Sequence, residues 1–178
     1  EESSKIFKTK YGLDDCFVFT FIGRIVKDKG IEELMDAYAR LSSEVENVRL
    51  VIVGWEEPLT DPISSHSQSI LKNNTGIVCT GFMDDIRPSL GASNCLILAS
   101  HREGFPNVVM QAACVNIPSI VSNINGCNEI IQNGSNGLIV ESKSADALYY
   151  AMKRLESDRG LLSDLAAKSR HSVVEKYD

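Results

Sequence analysis

Short apolar runs alternate with amphipathic stretches along this 178-residue chain, about six times over. Phe17-Val18-Phe19-Thr20-Phe21-Ile22 is a near-continuous run of β-formers, the pattern of a strand covered on both faces. Ile31, Leu34, Met35, Tyr38 and Leu41 then recur at helical spacing, and Val48-Arg49-Leu50-Val51-Ile52-Val53 predicts a second strand. A polar stretch from Glu56 to Ser69 leads into a weakly apolar helix ending near Asn74. Residues 76–80 predict a short third strand, and Asp84 to Gly91 a helix of one or two turns with Asp84 as its N-cap. Residues 95–99 form the fourth predicted strand. A helix over about 106–116 follows, with Pro106 at its first position, where no N–H is needed. Residues 118–121 predict a fifth strand, Cys127 to Gln132 a short helix and residues 137–140 a last strand. Two helices close the chain, one capped by Ser144 and one from about Gly160. A further short helix is expected near Ser4 to Tyr11.

Such alternation predicts an α/β fold: a three-layer, Rossmann-like domain with a parallel sheet of about six strands and helices on both faces. In sheets of this kind ligands sit at the C-terminal ends of the strands, near the point where strand order reverses. The residues that follow each strand are therefore the ones that can carry chemistry.

Composition narrows the picture only a little. The length suits one domain, and the 43% hydrophobic and 24% charged content is ordinary for a globular chain. A net charge of −6 argues against a general nucleic-acid binder. The five cysteines, at 16, 79, 95, 114 and 127, show no metal-ligand spacing and read as reduced, buried thiols, with Cys79 and Cys95 inside apolar runs. His66, His101 and His171 are scattered. No apolar run is long enough to span a membrane, and no secretory signal is present. A start at Glu1, with no Met, suggests a piece of a longer protein.

After the first strand come Gly23-Arg24 and then Lys29-Gly30. Arg24 offers a planar fork for phosphate oxygens and Lys29 a compact charge; taken singly, both also fit solvated surface positions. Gly54 after the second strand permits close backbone approach, and Trp55 beside it suits either stacking on a ring or loop packing. Gly81-Phe82-Met83 after the third strand suits either a base-lining wall or ordinary core closure. After the fourth strand Glu103 lies on a tight loop just before a helix N-terminus, where unpaired N–H groups gather. The chain holds no GxGxxG, no P-loop and no supported Ser-His-Asp arrangement.

The combination is more specific than its parts. Gly23-Arg24, Lys29-Gly30, Gly54, Glu103-Gly104-Phe105, Pro118-Ser119-Ile120-Val121 and Asn133-Gly134-Ser135-Asn136-Gly137-Leu138-Ile139-Val140 together resemble the C-terminal, donor-binding domain of retaining, family-4 glycosyltransferases of the GT-B fold. The likeness spans about residues 16–160 and is greatest to enzymes that build capsule, O-antigen or exopolysaccharide chains. It implies a nucleotide-diphosphate sugar donor, expected to be a UDP-sugar, and a glycan or lipid-linked acceptor. It implies that Arg24 and Lys29 neutralise the diphosphate and stabilise the leaving group, and that Glu103 meets hydroxyls of the donor sugar. Gly23 and Gly54 would allow close approach, Gly81 to Met83 (Phe82 and Met83 above all) would line the base, and backbone N–H groups over Gly104, Phe105, Pro106, Asn107 and Val108 would contact sugar and phosphate. Position 111 matches the family's second carboxylate, which accepts from the ribose, but here it is Gln111.

No metal or other cofactor is implied, and Asp84-Asp85 reads as capping, not as a metal pair. All 178 residues then form one nucleotide-sugar-binding domain, with the acceptor-binding N-terminal domain absent. The isolated piece is expected to be inactive. The resemblance implies a cytoplasmic location, with the inner face of the membrane open as a site of peripheral association made through the missing half. Two other readings stay open at this point: a sugar-nucleotide epimerase-type enzyme on the same fold, and a non-catalytic nucleotide-sugar-binding domain.

Overall fold

The six apolar runs become six strands: β1 (Phe17–Ile22), β2 (Val48–Val53), β3 (Ile77–Gly81), β4 (Cys95–Leu98), β5 (Ser119–Ser122) and β6 (Gly137–Val140). The structure is a computed structural model that describes residues 2–177. All pairings are parallel, in the order β3-β2-β1-β4-β5-β6. Parallel neighbours need crossovers, which are supplied by α2 (Ile31–Glu44), α3 (Ser65–Asn73), α4 (Arg87–Gly91), α5 (Asn107–Cys114) and α6 (Cys127–Ile130). Helix α1 (Glu2–Tyr11) precedes the sheet, while α7 (Ala145–Ser157) and α8 (Arg159–Tyr177) follow it. Strand order reverses between β1 and β4. This is the switch point at which a doubly wound sheet opens a crevice.

Alternation along each strand builds two cores. Phe17, Phe19 and Phe21 of β1, Leu50 and Ile52 of β2, and Cys95 and Ile97 of β4 face α2 and α7 in one buried cluster. Leu96 and Leu98 of β4 face the opposite way, with Val109, Ala112 and Ala113 of α5. Val18, Val51 and Val53 face that same side but pack with Phe7 of α1. Because both faces are covered, the strands read as continuous apolar runs.

Three expectations need correction. The helix after β3 starts at Arg87, not at Asp84, and its N-cap is Ile86, which makes no side-chain capping bond. Pro88 in the first turn sets that start. The capping role moves to Asp85, whose Oδ1 accepts from the backbone N–H of Arg87 at 3.0 Å. Pro106 stands just outside α5, as its N-cap, rather than at the first helical position. That helix also ends early, because Asn116 turns left-handed at φ 60° and Ile117 N–H donates back to Ala112 O at 2.9 Å. Finally, Cys79 is exposed because β3 is a sheet edge, and Cys114 is exposed too, whereas Cys95 and Cys127 are buried. Among the described residues no helix is long and apolar enough to cross a membrane.

Candidate functional site

At the C-terminal edge of the sheet the loops are laced together by backbone contacts. Gly23 N–H donates to Val53 O at 2.9 Å, Gly54 N–H to Gly81 O at 3.0 Å, and Ile25 N–H to Trp55 O at 2.9 Å. Gly54 has φ 151°, and a Cβ there would lie 1.8 Å from Gly23 O, so only glycine allows the two loops to meet. The next crossing joins the two halves of the sheet. Gly30 has φ 70° and lies against the end of β4, where a Cβ would come within 2.0 Å of Ala99 O. The 3-10 turn Lys27–Lys29 is thereby pressed against the loop that carries Glu103.

Across this crossing Lys29 Nζ donates to Glu103 Oε1 at 2.6 Å, and Ser100 Oγ donates to the same oxygen at 2.7 Å. Both charged side chains are largely covered, at 22% and 14% exposure. Arg24 is more open; its Nη1 donates to Glu57 Oε2 at 2.6 Å. Asp28 joins three loops. Its N–H donates to Asp61 Oδ2 at 2.6 Å, its carbonyl accepts from His101 N–H at 2.9 Å, and its Oδ2 accepts from Arg102 Nε at 3.0 Å. Behind the Lys29–Glu103 pair lies Cys127. Its thiol is pushed up to about 12, first by burial and then by the charge of Glu103, with Lys29 pulling the other way.

The other predicted positions fall along the same edge. Gly104 and Phe105 are exposed, and Phe105 meets Tyr177 of α8 edge-on at 5.6 Å. Pro106 is buried and has no N–H to offer. Asn107 turns its N–H onto Phe105 O at 3.0 Å. Of the expected amide donors from Phe105 to Val108, those of Phe105 and Val108 alone have no backbone partner among the described residues. Gln111 is exposed on α5. Phe82 is exposed and meets Trp55 edge-on at 5.6 Å, whereas Met83 packs into the cluster under α1. Met83 is thus half-buried against the core, while Phe82 stands open at the sheet edge. A separate surface cleft lies between α1 and α4, lined by Lys5, Lys8, Asp85 and Arg87 among others. Its own cation and carboxylate, Arg87 and Asp85, pair in the open at 2.8 Å, unlike the covered Lys29–Glu103 pair of the strand-end site. Among the described residues no three His, Cys, Asp or Glu side chains gather as a metal-binding group.

A family profile described as glycosyl transferases group 1 matches residues 3–172. The chain belongs to this family of glycosyltransferases. Among similar members, the capsular polysaccharide biosynthesis glycosyltransferase CapM of Staphylococcus aureus is 32% identical over 165 residues, covering 93% of this chain and 43% of the relative. An Escherichia coli UDP-Gal:alpha-D-GlcNAc-diphosphoundecaprenol alpha-1,3-galactosyltransferase is 29% identical over 166 residues, 92% of this chain and 42% of the relative. The chain thus spans less than half the length of these curated relatives. Anabaena HepE, solved with UDP, shares the fold with a TM-score of 0.89 at 20% identity, covering 99% of this chain and 49% of that one. The C-terminal domain of LpcC, a group 1 protein from Francisella tularensis, gives 0.85 at 24% identity over 96% of this chain and 92% of that domain. The architecture is that of a GT-B C-terminal domain, as the sequence resemblance implied.

Sequence reasoning pointed to Arg24, Lys29 and Glu103 but not to the residues that hold them. Ser100 was within reach of inspection, three positions before Glu103 on the same strand end. Glu57 and Asp61 lie in a polar stretch with no periodicity, and nothing in the sequence pairs them with Arg24 or Asp28. In this chain those contacts exist because the Gly54 and Gly30 crossings bring separate loops together.

Proposed function

We propose that the chain is the donor-binding half of a retaining glycosyltransferase that transfers sugar from a UDP-sugar to a glycan or lipid-linked acceptor in polysaccharide biosynthesis. The observation that carries this reading is the Lys29–Glu103 contact at the switch point, with Arg24 at the adjoining strand end. A phosphate arriving at Lys29 competes with a carboxylate oxygen for the same ammonium. As Lys29 turns to the diphosphate, Glu103 Oε1 is released to accept from a sugar hydroxyl. Arg24 makes the same exchange, leaving Glu57 for phosphate oxygens. Both cations then face the negative charge that develops on the leaving diphosphate as the glycosidic bond breaks, which is where electrostatic stabilisation counts most. The amides of Phe105 and Val108, at the start of α5, add neutral donors beside that charge. Phe82 and Trp55 supply apolar surface for the base, and Gln111 addresses the ribose. Arg24 and Lys29 carry the charge neutralisation in this scheme, so we expect no metal requirement and transfer that continues with a chelator present.

The relatives' names support the polysaccharide setting and the uridine donor. The acceptor side belongs to a second domain that this chain does not supply. That domain would also bring any contact with the inner face of the cytoplasmic membrane, and the 178 residues alone would bind donor without transferring it.

The test uses the full-length protein with UDP-, GDP- and ADP-sugars and lipid-linked acceptors. NMR gives the anomeric configuration of the product. Transfer from a UDP-sugar with retained configuration is expected, and Glu103→Ala should nearly abolish it. Full activity of Glu103→Ala, or an inverted product, overturns the reading.

A further inference from the structure

Among the contacts of Lys, Arg or His with carboxylates in the described residues, two alone have both side chains less than one-quarter exposed. One is Lys29–Glu103. The other is His101 Nε2 with Glu33 Oε1, at 2.9 Å and with 20% and 16% exposure. The two pairs join the same two segments. Lys29 ends the 3-10 turn just before α2 and Glu33 lies in the first turn of α2, while residues 101 and 103 lie on the loop after β4. Between the pairs run the bond from His101 N–H to Asp28 O and the bond from Arg102 Nε to Asp28 Oδ2. The loop bearing Glu103 is therefore fastened to the segment bearing Lys29 at successive points, as a ladder is by its rungs.

Glu33 is an expensive rung. Its Oε2 is buried without a hydrogen-bond partner among the described residues. A covered pair of this kind adds little net stability, because desolvation offsets much of the attraction. What it does fix is geometry. Glu33 stands in the first turn of α2, where the helix dipole favours an acidic side chain. The imidazole that it holds is two residues from Glu103 and next to Ser100, which donates to Glu103 Oε1.

We propose that His101, held by Glu33, is a positioning residue that sets the aim of Glu103 at the donor sugar without itself touching the donor. This inference rests on the donor-binding reading above. It separates two parts of the ligand: the diphosphate is met by Arg24 and Lys29, whereas the sugar is met by Glu103. Loosening the His101–Glu33 rung should therefore cost affinity for the sugar and not for UDP.

The experiment titrates the 178-residue chain calorimetrically with UDP and with whichever of UDP-glucose, UDP-galactose and UDP-N-acetylglucosamine the wild type binds most tightly. The readout is the ratio of the two affinities. His101→Phe, which keeps a ring but loses the polar edge, is expected to leave UDP affinity within about twofold and to lower the relative affinity for the UDP-sugar about tenfold, the worth of one good hydrogen bond. Glu33→Leu should do the same from the other side, and it serves as the test if His101→Phe does not fold. His101→Gln, whose amide N–H can still reach Glu33, should retain most of the wild-type ratio. An unchanged ratio in the ring or carboxylate variant overturns the proposal. So does an equal loss for UDP and UDP-sugar, which marks a merely structural role. Glu103→Ala separates the levels. If it lowers the ratio and the His101 and Glu33 variants do not, only the positioning role fails; if it leaves the ratio unchanged, the donor-binding reading fails with it.

Discussion

Gly30 is the residue on which the two halves of the site converge. Its φ of 70° and its approach to Ala99 O both exclude a side chain. Gly30→Ala combines left-handed strain of roughly 1–2 kcal/mol with overpacking of roughly 1–3 kcal/mol. A loss of about 2–5 kcal/mol in unfolding free energy is expected from urea titration, together with weakened UDP binding. Gln111 sets a milder test. An amide bond to a ribose hydroxyl contributes about 0.5–1.5 kcal/mol, against about 1.5–3 for a carboxylate. Gln111→Glu is therefore expected to keep or improve UDP affinity, by up to about tenfold, in a calorimetric titration; weaker binding would remove the ribose role from this position. The cysteines divide by burial. Cys79 and Cys114 should react promptly with a thiol reagent, and Cys95 and Cys127 only on unfolding. Cys127 also gives stability a pH dependence. Its folded thiol keeps its proton up to about 12, whereas an unfolded thiol releases it near about 8.5. The folded state then holds more protons in that window, so its contribution is intact below about pH 8.5 and lost as pH rises toward 12. Urea midpoints at about pH 7 and about pH 10 should show the decline, and Cys127→Ser should reduce it.

At the scale of elements, side chains fasten the sheet edge that carries the Asn-Gly turns. Asn136 is buried at 1% exposure. Its Oδ1 accepts from Gln132 N–H at 2.7 Å, and its Nδ2 donates to Ile130 O at 3.0 Å and to Ser172 Oγ of α8 at 2.7 Å. Asn136→Ala strands a buried donor and acceptor and releases α8 from the turn before β6; a loss of about 2–4 kcal/mol is expected. Faster amide exchange along α8 should accompany it. The motif around Asn136 was visible in the sequence, but its partner on α8 was not, since Ser172 is 36 residues away. The same contrast runs through the fold. Strands and long helices were legible because burial on both faces of a parallel sheet leaves unbroken apolar runs, and α2 keeps a clean apolar stripe. Helix ends were less so: Asp84 and Asp85 are equivalent on paper, and Pro88 decides between them. Cys79 read as buried because an edge strand has the composition of its neighbours. At the site, the residue types at strand ends were informative singly. The ties from Glu57, Asp61 and Glu33 were not, because they depend on which loops the glycine crossings bring into contact.

For the whole molecule, the switch point makes ligand binding and stability one measurement. On the proposed reading, a diphosphate held by Arg24 and Lys29, beside Glu103 from the far half of the sheet, would add charged contacts between loops that backbone bonds and ion pairs already tie together. A ligand that binds only the folded state stabilises it by RT ln(1 + [L]/Kd), roughly 2.7 kcal/mol at 100 times Kd. Thermal unfolding with UDP at that ratio should therefore rise clearly. Each cation contributes a charged hydrogen bond worth about 1.5–3 kcal/mol, so Arg24→Ala or Lys29→Ala should raise Kd roughly 10- to 100-fold. At the same UDP concentration the stabilisation then falls to about 0.4–1.4 kcal/mol. Uridine, which lacks the diphosphate, should show no such dependence on either cation. A UDP shift that survives both substitutions would place the nucleotide elsewhere on the molecule, the basic cleft between α1 and α4 being the alternative to examine.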